Sequence, residues 1–315
     1  MNPFRWLSPA GQGGRLSIFI FHRVLERADA LLPDEPDAER FDRIAGFIAR
    51  HFRVLPLAYA AACLADGRLP AAAACITFDD GYADNLTVAA PILRHHGMTA
   101  TFFVASGYID GGRMWNDTVI EAVRAAPVGE YDARDLGLGA YVIDDAASRV
   151  RAYGDLLEKL KYLDPALRAE RAEEIGRRAV LPRRSELMMT SGQVVELRDH
   201  GMEIGAHTIS HPILSAVDAT TAVAEIVGGR DQLADWLGRP PEVFAYPNGL
   251  PGTDYTGRDI EIVRRAGFRC AVSTARGAAG RAADPFQLPR FTPWDRTLPR
   301  FALRCADTLL RARRA

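Results

Sequence analysis

Short apolar runs alternate with longer segments of helical period along most of the chain, and this alternation restricts the fold more than any other feature. The runs Leu16–Phe21, Ala73–Phe78, Thr99–Ala105, Met202–Ala206, Glu242–Tyr246, Arg269–Thr274 and Phe286–Phe291 read as seven strands. Most are continuously apolar, as parallel strands covered on both faces are. Between them, Ala38–His51 sets Phe41, Ile44, Phe47 and Ile48 at helical spacing. Leu86–His96, Gln193–His200, Thr220–Leu237 and Asp259–Ala266 follow the same pattern, and Gly97, Gly201 and Gly267 suit the position after a helix end. Strand and helix in turn predict an α/β protein built on a parallel sheet or barrel.

The 315 residues are read as one domain, residues 1–315, with residues 109–189 inserted between two core strands. That stretch is rich in Arg, Glu and Ala. It is expected to be mostly helical, with patterns over Ser148–Leu163 and Pro165–Val180, and to act as a lid or packing extension. A formal net charge of −1 provides no global field for nucleic acid or an anionic membrane. Cys63, Cys75, Cys270 and Cys305 are too widely spaced for a structural zinc site or a disulfide framework, and Cys75 and Cys270 read as core thiols. The apolar run LSIFIF is shorter than a signal-peptide core, and a spanning helix needs about 20 residues. No transmembrane segment is expected, and a cytoplasmic location is the default. The sequence identifies no protein partner.

Three polar segments follow predicted strands. Asp79 and Asp80 come directly after a buried strand, in Thr77-Phe78-Asp79-Asp80-Gly81. An Asp-Gly turn needs only one acid, whereas adjacent carboxylates repel unless one binds a cation. In His207-Thr208-Ile209-Ser210-His211, two imidazoles four residues apart suit either one metal ion or a pair of turn caps. Together with a carboxylate they suit Zn²⁺, Co²⁺, Ni²⁺ or Fe²⁺ better than Mg²⁺ or Ca²⁺, with Zn²⁺ the first expectation and Co²⁺ or Ni²⁺ next. The third segment, Tyr246-Pro247-Asn248-Gly249, is either a plain turn or a source of backbone N–H groups for a developing oxyanion.

In this order, TFDDG, HTISH and YPNG resemble the motifs of the NodB-homology domain, the polysaccharide deacetylases of carbohydrate esterase family 4. The resemblance spans roughly Leu16 to Trp294, apart from the insertion. It implies a distorted (β/α)₇ barrel and hydrolysis of the acetamide of an N-acetylated polysaccharide or oligosaccharide. It also implies a divalent metal on Asp80, His207 and His211, Asp79 as general base, and the Asn248 N–H at the oxyanion.

Two departures from the family pattern matter. The arginine that usually braces the base is missing from the third motif, and Arg290 is the candidate in its place, with a surface ion pair as the alternative. The usual late histidine is also missing, since no histidine follows His211. His22, in Phe21-His22-Arg23, resembles the arrangement of a circularly permuted branch that acts on poly-N-acetylglucosamine, which implies His22 as the general acid. A core histidine is the alternative. Trp115, Tyr246 and Trp294 are candidates for stacking on sugar, grouped with Arg290 as substrate-facing residues, against ordinary packing. His51, His95, His96 and His200 read as solvated. Two other functions compete: a hydrolase of another non-peptide C–N bond on the same barrel, and a carbohydrate-binding protein with weakened catalysis.

Overall fold

The computed structural model describes residues 2–293 and 295–312. The strands are β1 (Ser17–Phe21), β2 (Arg53–Val54), β3 (Ala73–Phe78), β4 (Thr101–Val104), β5 (Gly129–Ala133), β6 (Gly139–Ile143), β7 (Glu203–Ala206), β8 (Val243–Ala245), β9 (Cys270–Arg276) and β10 (Leu288–Arg290). The helices are α1 (Phe4–Leu7), α2 (Ala38–His51), α3 (Leu57–Ala65), α4 (Ala90–His95), α5 (Trp115–Ala125), α6 (Ala146–Lys161), α7 (Pro165–Arg178), α8 (Ser191–Asp199), α9 (Ala219–Leu237), α10 (Gly257–Arg265) and α11 (Leu298–Ala312).

Seven parallel strands run in the order β1-β3-β4-β7-β8-β9-β10, and β2 lies alongside the start of β3. The sheet curls until its ends nearly meet. The seam is held by one parallel bridge between Phe19 and Phe291, in which Ile20 N–H donates to Phe291 O at 3.0 Å and Phe291 N–H to Ile18 O at 2.8 Å. This is an α/β barrel of the distorted (β/α)₇ kind.

Alternation along each strand divides the core in two. Phe19, Phe21, Ala74, Ile76, Phe78, Phe102, Phe244 and Tyr246 face the helical layer. Ile18, Ala73, Cys75, Phe103, Val243, Ala245 and Val272 face the barrel axis, where α3 plugs the lower end. Glu203 secures that plug by accepting from Leu57 N–H at 2.7 Å and Ala58 N–H at 3.1 Å, satisfying first-turn donors that have no partner within the helix. The same period continues Cys75, Thr77, Asp79 along the inner face, so the first acid of TFDDG points up the barrel axis. All four cysteines are buried and free.

Several elements differ from the sequence pattern. No amphipathic period marks α3, because its sequence LAYAAACLA is apolar at every position, the exposed Tyr59 included; Leu57, Ala58, Ala60, Ala61, Cys63 and Leu64 have almost no exposed surface. The helix expected over Leu86–His96 begins with a π turn, Asn85–Ala89, before α4. Pro91 lies one turn on and has no N–H to close the regular ladder. Residues 109–189 hold α5, α6 and α7 together with an antiparallel hairpin, β5–β6, that the composition did not signal. Val119, Val123, Leu156, Leu160 and Ile175 give this stretch a small core of its own. No helix among the described residues is long and apolar enough to cross a membrane.

Candidate metal centre and active site

The functional segments leave their strands through strained backbone. Asp80 (φ 76°), Thr208 (φ 65°), His211 (φ 53°) and Asn248 (φ 57°) account for four of the seven non-glycine residues with positive φ among those described. Such conformations cost of order 1–3 kcal/mol each and persist where the surroundings hold them. Asp80 turns out of β3 at this point, so adjacent acids take different directions. Asp79 stays on the inner face, 3 % exposed, and Asp80 swings towards the end of β7.

There it meets the histidines. Asp80 Oδ1 lies 3.5 Å from His207 Nε2 and 3.5 Å from His211 Nε2, and one donor atom from each residue falls within 4.8 Å of the others. These contacts are too long for good hydrogen bonds, and buried Asp80 Oδ1 has no hydrogen-bond partner among the described residues. An orphaned buried carboxylate oxygen facing two imidazole nitrogens is a donor set that fits a divalent cation. His207 Nδ1 is 2.7 Å from the Ala245 carbonyl. A carbonyl only accepts, so the proton is on Nδ1 and the Nε2 lone pair is free for a metal.

The histidine loop is held from below. Glu225 on α9 accepts from Ile209 N–H at 2.9 Å, Ser210 N–H at 2.8 Å and Ser210 Oγ at 2.6 Å. A Cβ on Gly229 would come within 2.8 Å of the Thr208 carbonyl group, so only glycine lets α9 approach this closely.

Asp79 has a full counter-ion. Arg290 donates Nη1 to Oδ1 and Nη2 to Oδ2, both at 2.7 Å, and Nε to Ser273 O at 2.9 Å. Burial pushes the Asp79 carboxyl up, but Arg290 outweighs it and holds the group below the usual carboxylate range. At Asp80 burial is likewise outweighed, here by the imidazoles, and its carboxyl is held low as well. Burial lowers His211 to about 4, the neutral form a metal ligand requires. His207 is raised, because Asp80 and Asp79 overcome the effect of burial.

A cavity of about 400 Å³ opens above these groups and is lined by His22, Asp79, Asp80, His207, His211 and Asn248, a size suited to a small-molecule substrate. The Asn248 N–H has no acceptor among the described residues, while the Asn248 carbonyl is tied down by Thr274 Oγ1 at 2.8 Å. Trp115 of the insertion also lines the cavity.

Two of the substrate-facing expectations need correction. Tyr246 is fully buried and stacks on Tyr255 at 3.8 Å between ring centroids. Strand alternation turns Phe244 and Tyr246 towards the helical layer and leaves no ring face for a sugar. Arg290 is 1 % exposed with its fork engaged by Asp79, so it braces that acid and does not touch substrate. Trp294 lies outside the described residues.

The sequence reading passed over a second set of groups around His22. Arg23 pairs with Asp84 at 2.8 Å and lies over the Tyr82 ring at 4.8 Å. Tyr82 Oη is 3.2 Å from both oxygens of Asp117 on α5. The tyrosine and acid in TFDDGYAD were local signals for this chain of contacts; Asp117 and Glu225 had none.

Comparison with known proteins agrees with this geometry. The polysaccharide deacetylase family profile matches residues 66–134 and 171–271, more than half of the chain. A curated relative, YxkH of Bacillus subtilis (strain 168), is named for the same family and is 21 % identical over 215 residues. The match covers 68 % of this chain and 49 % of YxkH, so the chain spans about half the length of that relative. Among solved structures, the deacetylase PplD of Streptococcus pyogenes, in complex with acetate, superposes with a TM-score of 0.62 at 19 % identity, covering 94 % of this chain and 98 % of PplD. IcaB from Ammonifex degensii gives 0.61 at 18 % identity, covering 96 % and 98 %. At these identities the likeness shows a shared fold. The profile match, by its extent, shows that the chain belongs to the polysaccharide deacetylase family.

Proposed function

We propose that the chain is a metal-dependent hydrolase that removes acetyl groups from an N-acetylated saccharide. The observation that carries this reading is the division of labour between two adjacent buried acids. Asp80 converges with His207 and His211 on one point, while Asp79, held ionised by Arg290, faces the same cavity with no part in that convergence.

A divalent ion on Asp80, His207 and His211, Zn²⁺ by the chemistry of the donors, supplies Lewis acidity to the acetamide carbonyl. Asp79 takes the proton of the attacking water, and Arg290 fixes the orientation of its carboxylate. The Asn248 N–H donates to the oxygen that becomes negative as the tetrahedral centre forms. His22 gives a proton to the departing sugar amine, which turns a poor leaving group into a neutral one. The products are acetate and a free amino sugar. Here the histidine comes directly after the barrel's first strand, as the permuted arrangement implies, and the last strand provides the brace. The carbohydrate-binding alternative loses its motive, since an arginine braces Asp79 and a histidine lines the cavity.

The test is acetate release from N-acetylated oligosaccharides before and after chelation. Activity should fall to background in chelated protein and return with about one equivalent of Zn²⁺, Co²⁺ or Ni²⁺. Full turnover in protein shown by elemental analysis to hold no metal would overturn the reading.

A further inference from the structure

The wall that the insertion adds to the cavity carries charge of its own. Arg168, in the first turns of α7, is 6 % exposed and lines the same cavity as Asp79 and His207. Its guanidinium lies over Trp115 at 5.1 Å, and Nη1 donates to Lys161 O at 3.1 Å. No carboxylate among the described residues pairs with it. Guanidinium has five N–H donors, and one is used. Lys161 lines the cavity as well; its ammonium lies 5.2 Å from the Tyr162 ring and has no acidic partner among the described residues. Glu158 at the rim is the one acid this wall adds to the cavity lining, and it pairs with neither cation.

A structural role explains part of this. Lys161 O belongs to the last turn of α6, where a cation is favourable, and stacking on Trp115 adds a modest cation–π gain. Neither supplies the counter-ion that a buried charge normally has. Burial lowers the Arg168 pKa, opposed by Tyr108 and Asp164, the electrostatic sign of a cation lacking a close anion.

We infer, on the basis of the function proposed above, that Arg168 with Lys161 binds an anionic group of the glycan, a carboxylate or phosphate on the acetylated sugar or its neighbour. The planar fork of Arg168 matches a two-oxygen anion, and Lys161 adds a second positive charge. The wall is preorganised for this. A Cβ on Gly176 would sit 2.8 Å from Thr118 Cγ2, so α7 lies hard against α5 and fixes the height of Arg168 above Trp115. Lys161 and Arg168 both fall between the two stretches that the family profile matches, residues 66–134 and 171–271. Anion recognition is therefore a property of this chain's insertion and not of the shared barrel.

Three size-matched substrates test it at fixed ionic strength: neutral N-acetylglucosamine oligosaccharides, oligosaccharides alternating a uronic acid with N-acetylglucosamine, and phosphate-bearing ones. One anionic set should exceed the neutral set at least about tenfold in kcat/KM, a factor in keeping with one charge-assisted contact, chiefly through KM. Whichever set wins identifies carboxylate or phosphate as the source. Arg168→Gln should collapse the anionic-to-neutral ratio towards one, and Arg168→Lys should keep part of it. If Arg168→Gln does not fold, Lys161→Ala must lower the ratio instead. Calorimetry of the same oligosaccharides on Asp79→Asn protein reads binding without turnover. It separates a failure of this inference from a failure of the deacetylase reading. Equal affinity for neutral and anionic oligosaccharides, or a ratio that survives both Arg168→Gln and Lys161→Ala, overturns the inference.

Discussion

Asp79 and Arg168 are both buried charges lining one cavity, but among the described residues only Asp79 has a counter-ion. The barrel rim supplies its own braces, apart from the cation proposed for Asp80 and the histidines. Arg290 meets Asp79 through two bonds of 2.7 Å, Ala245 O orients His207, and Glu225 holds the histidine loop. The insertion wall is incomplete by the same standard, with Arg168 and Lys161 lacking acidic partners among the described residues. The rim can be assembled before any substrate arrives, as preorganised catalysis requires. The wall is completed by something from outside. Changes to the rim should therefore abolish turnover whatever the substrate, and changes to the wall should alter which substrate is used.

The largest effect tests the rim. Asp79→Asn should lower turnover by about 10²–10⁴-fold, the usual loss for a positioned base, while metal content stays near that of the unaltered protein. Asp80→Asn should lose both metal and turnover, because it removes the carboxylate from a site with only two other protein donors. Elemental analysis beside acetate-release kinetics checks the pair. Equal metal loss in the two variants would mean that the roles assigned to the two acids are wrong.

The contrast between rim and wall also explains what the sequence revealed. The barrel was legible because strands buried on both faces are continuously apolar, and because the polar residues at their ends break that pattern abruptly. Asp79, Asp80, His207, His211 and Asn248 were found this way. Arg290 was found by asking what replaced a missing brace. Tyr246 was misread although the information was present: Val243 and Ala245 face the axis, so Phe244 and Tyr246 must face out. The helix α3 was hidden because a segment apolar at every position has no amphipathic period, even where one face, at Tyr59, is exposed. Arg168 was invisible for a different reason. It is one of several arginines on an Arg-rich helix, and only the packing of α7 on α5 turns it towards the cavity.

A change in that packing is the next test. Gly176→Val pushes a side chain into Thr118 and should destabilise the protein by about 1–3 kcal/mol, the common cost of overpacking. Thermal or denaturant unfolding reads that loss. Metal content should not change, since Glu225, Ala245 and Arg290 do not depend on the insertion for their contacts. Loss of metal in folded Gly176→Val protein would mean that rim and wall are not separable.

The smallest effect concerns the place where rim and wall touch. Asp117 on α5 accepts from Tyr82 of the TFDDGY segment, and its carboxyl is pushed up to about 7. Burial is the main cause; the charges of Asp80 and Glu121 add to it, while Arg23 and the Tyr82 hydroxyl oppose it. In the unfolded chain an aspartate titrates near 3.9. Between that value and about 7 the folded protein keeps a proton that the unfolded chain has released. Stability therefore falls as pH rises through this window, and the whole deficit is present above it. Asp117→Asn mimics the protonated acid and still offers Tyr82 an acceptor, so it should remove the deficit. Because Asp117 borders a cavity, relaxation around the group reduces the effect to on the order of 1 kcal/mol, or roughly 2 °C in Tm. The expected result is a higher Tm for Asp117→Asn at pH 8 and little difference near pH 4. A gain of equal size at both pH values would show that the substitution acts through packing and that Asp117 is not held protonated at the junction.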